Sequence, residues 1–99
     1  MVMVVFRSQL RPGIGDEFDE LADKMMVIAE SMPGFISYKV FQAPDGERAS
    51  IIHFESVEEL AAWRMHPDHL AAQQRGRDDF YEEYSLIVSE LHRDNQLKR

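Results

Sequence analysis

Four short stretches of the sequence have the character of β-strands, and helical stretches separate the first from the second and the third from the fourth. The strand-like stretches are rich in β-branched and aromatic residues, and turn signals such as Pro12-Gly13 divide them. Between the first two, apolar residues recur at three- and four-residue spacing from Phe18 to Met32, which predicts an amphipathic helix that residues 33–34 end. The predicted strands are residues 2–10, 35–42, 48–55 and 84–92.

A second helical region is predicted to begin at Ser56. Ser56 and Glu59 stand at the spacing of a capping box, in which the two side chains satisfy free backbone N–H groups at the start of a helix. Pro67 suits the first position of a further helix, because its missing N–H would be unpaired there anyway. We therefore expect a further helix over residues 68–75, closed by Gly76.

The order strand, helix, strand, strand, helices, strand corresponds to two split βαβ units. It predicts an α+β fold of ferredoxin-like topology, a four-stranded antiparallel sheet with the helices on one face. A chain of 99 residues supports one hydrophobic core and therefore one domain. We assign this domain to residues 1–93 and interpret residues 94–99 as a polar C-terminal tail.

Both faces of the predicted sheet carry apolar residues. Val2, Val4 and Phe6 alternate with Met3 and Val5 along the first strand, so each set faces one side of the sheet. Helices cover only one face, and an uncovered apolar face of this size is unusual in a monomer. We therefore expect a homodimer in which a partner sheet covers this face. The alternative is a monomer whose second face is made polar by Arg7, Gln9, Lys39 and His53.

The charge and composition limit the partners and the location. The chain has 18 acidic residues against 11 Lys and Arg, a net charge of −7. Such a charge repels nucleic-acid phosphates, so we expect no nucleic-acid partner. The longest apolar runs, residues 1–6 and 25–29, are far shorter than the roughly 20 residues of a membrane span, so we expect no membrane partner. The lack of Cys and of a visible export signal favours a cytoplasmic protein.

Several motifs along the chain carry a family resemblance. The strand-helix-helix segment comprises residues 52–56, Leu60, Trp63, residues 66–67, His69 and residues 71–72. Together with the Arg-Pro-Gly turn after strand one, the Met-Pro-Gly-Phe sequence after the first helix and the closing aromatic strand, this segment resembles the antibiotic biosynthesis monooxygenase family. The resemblance implies a dimeric α+β barrel with a pocket between sheet and helices in each subunit, and oxygenation of electron-rich aromatics without flavin, metal or other cofactor.

The implied chemistry asks little of the protein. Triplet dioxygen reacts poorly with closed-shell molecules, but a deprotonated hydroquinone or anthrone itself donates an electron, so the protein has only to bind, orient and deprotonate it. We expect a cofactor-independent monooxygenase that oxidises a quinol-like or polycyclic phenolic small molecule with dioxygen. The alternatives are a noncatalytic dimer that binds a small aromatic ligand and a dimeric scaffold without a ligand.

Trp63 and His69 are the candidate catalytic residues. Trp63 matches the helix-borne Trp that packs against ligand in several family members, and its alternative role is that of a plain core aromatic. His69 is the candidate base for a phenolic proton, because an unperturbed imidazole titrates near neutral pH; the alternative is a partly exposed histidine at a helix start. The candidate substrate-binding residues, expected to line an apolar pocket, are Phe6, Phe54, Gln73 and Tyr81.

We expect neither haem nor a metal ion. The haem-degrading branch of the family has an Asn on strand one, a Trp on the helix and a His one turn further on, and these positions correspond here to Phe6, Trp63 and Gln73. His66 and His69 lie three residues apart, but no third ligand stands at a supporting spacing. Four arginines are candidates to stabilise a phenolate, although solvated ion pairing is the default for each: Arg7, Arg64, Arg75 and Arg77.

Overall fold

The computed structural model describes all residues from 1 to 99. The chain forms four β-strands, three α-helices and one π-helical turn, and residues 91–99 follow the last strand without regular structure. In chain order the elements are β1 (Val2–Leu10), α1 (Gly15–Ser31), β2 (Phe35–Gln42), β3 (Arg48–Phe54), α2 (Val57–Arg64), α3 (Pro67–Arg75), the π turn (Gly76–Phe80) and β4 (Tyr81–Glu90).

The strands form one antiparallel sheet in the order β2-β3-β1-β4. The central strand β1 pairs with β3 on one side and with β4 on the other. Helix α1 therefore connects β1 to the far edge strand β2, and α2 and α3 connect β3 to the opposite edge strand β4. These are the two crossovers of split βαβ units, so the predicted α+β, ferredoxin-like fold is confirmed.

The core lies between the sheet and the helices. Alternate side chains of β1 and β3 face the helices and are buried, while the residues between them face the other side. Burial of these apolar side chains supplies the main driving force for folding. The core cluster consists of Val2, Val4, Ile52 and Phe54 from the sheet with Ala29, Leu60 and Trp63 from the helices.

The opposite face of the sheet has no covering element within the chain. Val5 on β1 stands between Ile51 on β3 and Ile87 on β4 in the strand register, so these three side chains share that face. Ile87 is 56% exposed, and Phe41 on β2 is 49% exposed. We call this surface the outer sheet face.

The serine half of the capping box predicted at the start of α2 is confirmed. The Ser56 hydroxyl accepts the backbone N–H of Glu59 at 3.2 Å and donates to the Glu59 carboxylate at 3.0 Å. Helix α3 begins at Pro67, directly after His66, whose Nδ1 accepts the backbone N–H of Asp68 at 3.1 Å. No helix combines the length and the apolar character that a bilayer crossing demands.

Several boundaries differ from the sequence-based expectations, among them the end of β4 at Glu90 instead of residue 92. Gly76 does not end the helical region: its φ of −58° and ψ of −48° continue α3 into the π turn. A β-carbon at this position would collide with the ring of Tyr81, so close packing explains the glycine. Strand β4 begins at Tyr81 instead of residue 84, because Tyr81 pairs with Leu10 of β1. The acidic residues 82–83 obscure this extension in the sequence.

Candidate functional site

A cavity of about 550 Å³ lies between the sheet and the helices. All four strands contribute to its floor, and its walls come from α1, the end of α2, α3 and the π turn. The lining is mainly hydrophobic, with a few polar groups among the aromatic rings. A cavity of this size and composition is typical of a small-molecule site.

Five of the six predicted site residues line this cavity: Phe6, Trp63, His69, Gln73 and Tyr81. Phe54 does not, and this corrects the sequence analysis. The alternation of β3 turns Phe54 toward the helices, as expected, but α2 lies directly over it. Phe54 is 0% exposed and stacks on Trp63 with ring centroids 5.8 Å apart, so it lies in the core and not on the cavity surface.

Trp63 belongs to both the core and the cavity wall. Its side chain is 3% exposed, and it lies edge-on to Tyr38 at 5.9 Å as well as against Phe54. It also borders the cavity, and its indole Nε1 is buried without an acceptor on the protein. The two roles weighed for Trp63 in the sequence therefore coexist in one side chain.

His69 lies against Trp63 inside the cavity, with ring centroids 4.3 Å apart. Its Nδ1 is 2.8 Å from Nε2 of the Gln73 amide, one turn further along α3. The pKa of His69 is lowered to about 4: burial is the largest cause, a hydrogen bond with the Arg64 carbonyl acts in the opposite direction, and the positive charges of Arg64 and His66 contribute to the lowering. The imidazole is therefore neutral at neutral pH, which makes it available as a hydrogen-bonding group but weak as a base.

An aromatic cluster closes the β4 side of the cavity. Phe6 packs against Tyr81 at 5.5 Å and Tyr84 at 5.6 Å, and Tyr81 also contacts Phe18 at 5.8 Å. The pKa of Tyr81 is raised to about 12: burial is the largest cause, the neighbouring phenols Tyr38 and Tyr84 contribute in the same direction, and Arg48 acts against them. The Tyr81 hydroxyl therefore stays protonated and can donate a hydrogen bond to a ligand oxygen.

The sequence analysis missed part of the polar lining. Tyr38 and Ser50 share the cavity floor, and burial raises the pKa of Tyr38 while a hydrogen bond to Ser50 acts against this. Ser8, which is buried, and Arg48 also contribute. Alternation along β1 places Ser8 on the side of Phe6, and this was the available signal. The contribution of β2 depends on its register with β3, which the sequence does not reveal.

The four candidate arginines separate clearly in the structure. Arg7 pairs with Glu47 at 2.8 Å on the outer sheet face, and Arg75 pairs with Glu17. Arg77 lines the cavity and donates to the side chain of Gln74 at 3.1 Å. Arg64 lines the cavity too, but its guanidinium makes no ion pair or hydrogen bond with the protein, and its Nε is buried. Arg64 is therefore the candidate left free for a ligand.

Metal-ligating side chains do not gather anywhere in the chain: no group of three or more His, Asp or Glu residues has the arrangement of a metal site. The polar groups of the cavity are instead indole, imidazole, amide, phenol, hydroxyl and guanidinium groups, together with two carboxylates of α1. Nearly all of these are hydrogen-bond donors, a set that suits an oxygen-bearing aromatic molecule.

Comparison with known proteins relates this architecture to a family. The sequence profile described as antibiotic biosynthesis monooxygenase matches residues 1–75. The uncharacterized protein YqjZ of Bacillus subtilis is 30% identical over 76 residues, which cover 77% of this chain and 67% of that protein. The jasmonate monooxygenase ABM of Pyricularia oryzae is 30% identical over 105 aligned residues and 100% of this chain, which spans about half, 48%, of the fungal protein.

The fold comparison agrees with the sequence comparison. SnoaB from Streptomyces nogalater, described as a cofactor-independent oxygenase, superimposes with a TM-score of 0.80 at 15% identity over 94% of each chain. An identity this low shows a common fold and leaves the chemistry of this chain to be argued from its own residues. The profile match over three quarters of the sequence shows that the chain belongs to the antibiotic biosynthesis monooxygenase family.

Proposed function

We propose that this protein is a cofactor-independent monooxygenase that oxidises a quinol-like or polycyclic phenolic small molecule with dioxygen in the cytoplasm. The observation that carries the proposal is the aromatic-walled cavity of about 550 Å³ in a member of a monooxygenase family. The description of SnoaB as a cofactor-independent oxygenase supports the same chemistry. The fungal relative named for jasmonate supports a small-molecule substrate more generally.

The proposed reaction starts from the ionised substrate. A deprotonated anthrone-like carbon gives one electron to dioxygen, and the resulting radical pair combines to a peroxide. Loss of water from the peroxide leaves a carbonyl, so one oxygen atom stays on the substrate and the other departs as water. The protein then has to bind a flat ring system, take up the proton and hold the oxygen-bearing edge in place.

The aromatic rings of the cavity and His69 have distinct roles in this proposal. Trp63 and the rings around Tyr81 bind the faces and edges of the substrate. His69 accepts the phenolic proton: the Gln73 amide Nε2 donates to its Nδ1 at 2.8 Å, so Nδ1 is the basic nitrogen and takes the proton when the substrate displaces the amide. Because the pKa of His69 is about 4, this transfer needs a substrate anion that the cavity stabilises.

The outer sheet face supports the proposed homodimer. Ile87 and Phe41 are about half exposed there, and Val5 and Ile51 lie between them. Pairing two such faces around a twofold axis would bury the apolar residues of both subunits at once. Each subunit keeps its own cavity in this arrangement, because the cavity opens on the opposite side of the sheet.

A noncatalytic binder of small aromatic molecules is the second candidate function. The low pKa of His69 favours it, since a weak base deprotonates a phenol poorly. The same cavity would then bind its ligand without turnover.

Oxygen consumption distinguishes the two functions. Purified metal-free protein is supplied with a panel of hydroquinones and anthrones, and oxygen uptake is recorded with an electrode. We expect uptake with at least one compound, lost in His69→Ala and retained in His92→Ala, a control histidine in the exposed C-terminal residues. Tight binding of the panel without uptake would favour the binder, and absence of both would refute the proposed function.

A further inference from the structure

Two adjacent residues at the end of α2 carry the only buried side-chain nitrogen or oxygen atoms in the chain that lack a hydrogen-bond partner. These atoms are Nε1 of Trp63 and Nε of Arg64, and both residues line the same cavity. Both atoms are N–H donors. A buried donor without an acceptor is unfavourable and is rare in folded proteins, so such an atom calls for an explanation.

The neighbours of Arg64 do not provide an acceptor. Its carbonyl accepts from the Gln73 amide at 3.5 Å, but its guanidinium has no carboxylate within ion-pair distance. The other cavity arginines differ: Arg48 pairs with Asp19 at 2.8 Å and Arg77 donates to the side chain of Gln74. Arg64 is thus a cation at the cavity wall whose guanidinium has no ion-pair or hydrogen-bond partner within the chain.

We propose that Trp63 Nε1 and Arg64 Nε together bind one anionic oxygen of the ligand, so that the cavity selects the ionised form of a phenol over its neutral form. The inference takes the class of ligand from the proposed function. It adds the two groups that stabilise the ionised form of that ligand. Charge-assisted hydrogen bonds from buried donors stabilise a phenolate more than a phenol, which lowers the pKa of the bound ligand. A weak base such as His69 is then sufficient to accept the phenolic proton of the ligand.

The remaining charged and titratable groups of the cavity do not change this preference. Asp19 is compensated by Arg48, and Asp23 lies on the exposed side of α1. His69 is uncharged above pH 5, since its pKa is about 4, and Tyr81 stays protonated, since its pKa is about 12. The groups that line the cavity are Asp19 and Asp23 from α1, Tyr38 from β2, Arg48 from β3, His69 from α3, Arg77 from the π turn, and Tyr81 and Tyr84 from β4.

The test compares a phenol with its own methyl ether. The probe is 4-nitro-1-naphthol, whose anion absorbs visible light, and the reference is the methyl ether of the same compound, which cannot ionise. Binding of both is measured by quenching of Trp63 fluorescence across pH, and the bound anion is followed by its absorbance. We expect the pKa of the bound naphthol to lie below that of the free compound, and the ether to bind independently of pH.

Variants assign the effect to its residues. Arg64→Met should weaken naphtholate binding by roughly tenfold or more, the loss expected for one charge-assisted hydrogen bond, while ether binding stays within about twofold. Arg64→Lys should recover part of the loss. Trp63→Phe lacks tryptophan fluorescence, so naphtholate binding is followed by absorbance and ether binding by displacement of the bound naphtholate. This variant should reduce the preference for the anion and keep ether binding. Arg77→Met removes an equal charge from the rim of the cavity and should leave the preference unchanged.

Two results would overturn the inference: equal affinity for naphthol and ether at every pH, or an anion preference that is unchanged in Arg64→Met. Circular dichroism of each variant shows whether a loss of binding comes from unfolding, and Arg64→Lys retains the test if Arg64→Met does not fold. Failure of the proposed function is separate, because a protein that prefers the anion through Arg64 but consumes no oxygen would disprove only the monooxygenase activity.

Discussion

Replacing Trp63 with alanine should destabilise the whole domain as well as the cavity wall. Truncation of a buried aromatic typically costs about 3–5 kcal/mol, and the cost grows with the volume left empty. Trp63 is 3% exposed but borders a cavity, so it has fewer packing partners than a fully enclosed ring, and we expect the lower end, about 3 kcal/mol. In a domain of this size that corresponds to a melting temperature about 12–24 °C below that of the wild type.

Urea unfolding followed by far-ultraviolet circular dichroism measures this change, since Trp63 is the sole tryptophan and fluorescence is lost in the variant. Trp63→Phe is the matched control. It keeps a ring against Phe54 and forfeits no protein hydrogen bond, because Nε1 has no acceptor on the protein, so it should cost roughly half as much or less. A Trp63→Ala variant within about 1 kcal/mol of the wild type would refute the assignment of Trp63 to the core.

Three further predictions follow from the structure. The free energy of unfolding should fall as pH drops from 6.5 toward 4, because His69 of the unfolded chain takes up a proton that the folded chain accepts only near pH 4. Urea titrations should show the full stabilising contribution of His69 above pH 6.5, and His69→Gln should lack this pH dependence. Gly76→Ala should lower stability by about 1–3 kcal/mol in thermal melts despite better helix propensity, because the new methyl group meets the Tyr81 ring, and a more stable variant would contradict this packing. The 11.5 kDa chain should sediment as a dimer and Ile87→Lys as a monomer; a wild-type monomer at high micromolar concentration would disprove pairing through the outer sheet face.

The structure combines two interpretations that the sequence offered as alternatives. Spacing alone gave Trp63 either a place in the core or a place in the pocket wall. Helix α2 lies over Phe54 and ends at the cavity, so the indole packs on the core with part of its surface and borders the cavity with the rest. Loss of binding in a Trp63→Ala variant is therefore informative only together with a stability measurement.

Local sequence determined most of the fold. Alternation in β1, the three- and four-residue spacing in α1 and the capping box at Ser56 act over short distances, so each could be interpreted without knowledge of the rest of the chain. The order of these elements then leaves few arrangements of four strands and their crossovers. Trp63, His69 and Gln73 could be placed near one another for the same reason, since they lie within two consecutive helices.

Only the tertiary structure decided which side chains face the cavity and which charged side chains have an ion-pair or hydrogen-bond partner. The exclusion of Phe54, the contribution of Tyr38 and the isolation of Arg64 depend on strand register and on helix packing between residues far apart in sequence. The role of Gly76 depends in the same way on the Tyr81 ring. Burial and hydrogen-bond partnership are properties of the packed chain, so neither the low pKa of His69 nor the unpaired donors of α2 have a signature in the sequence.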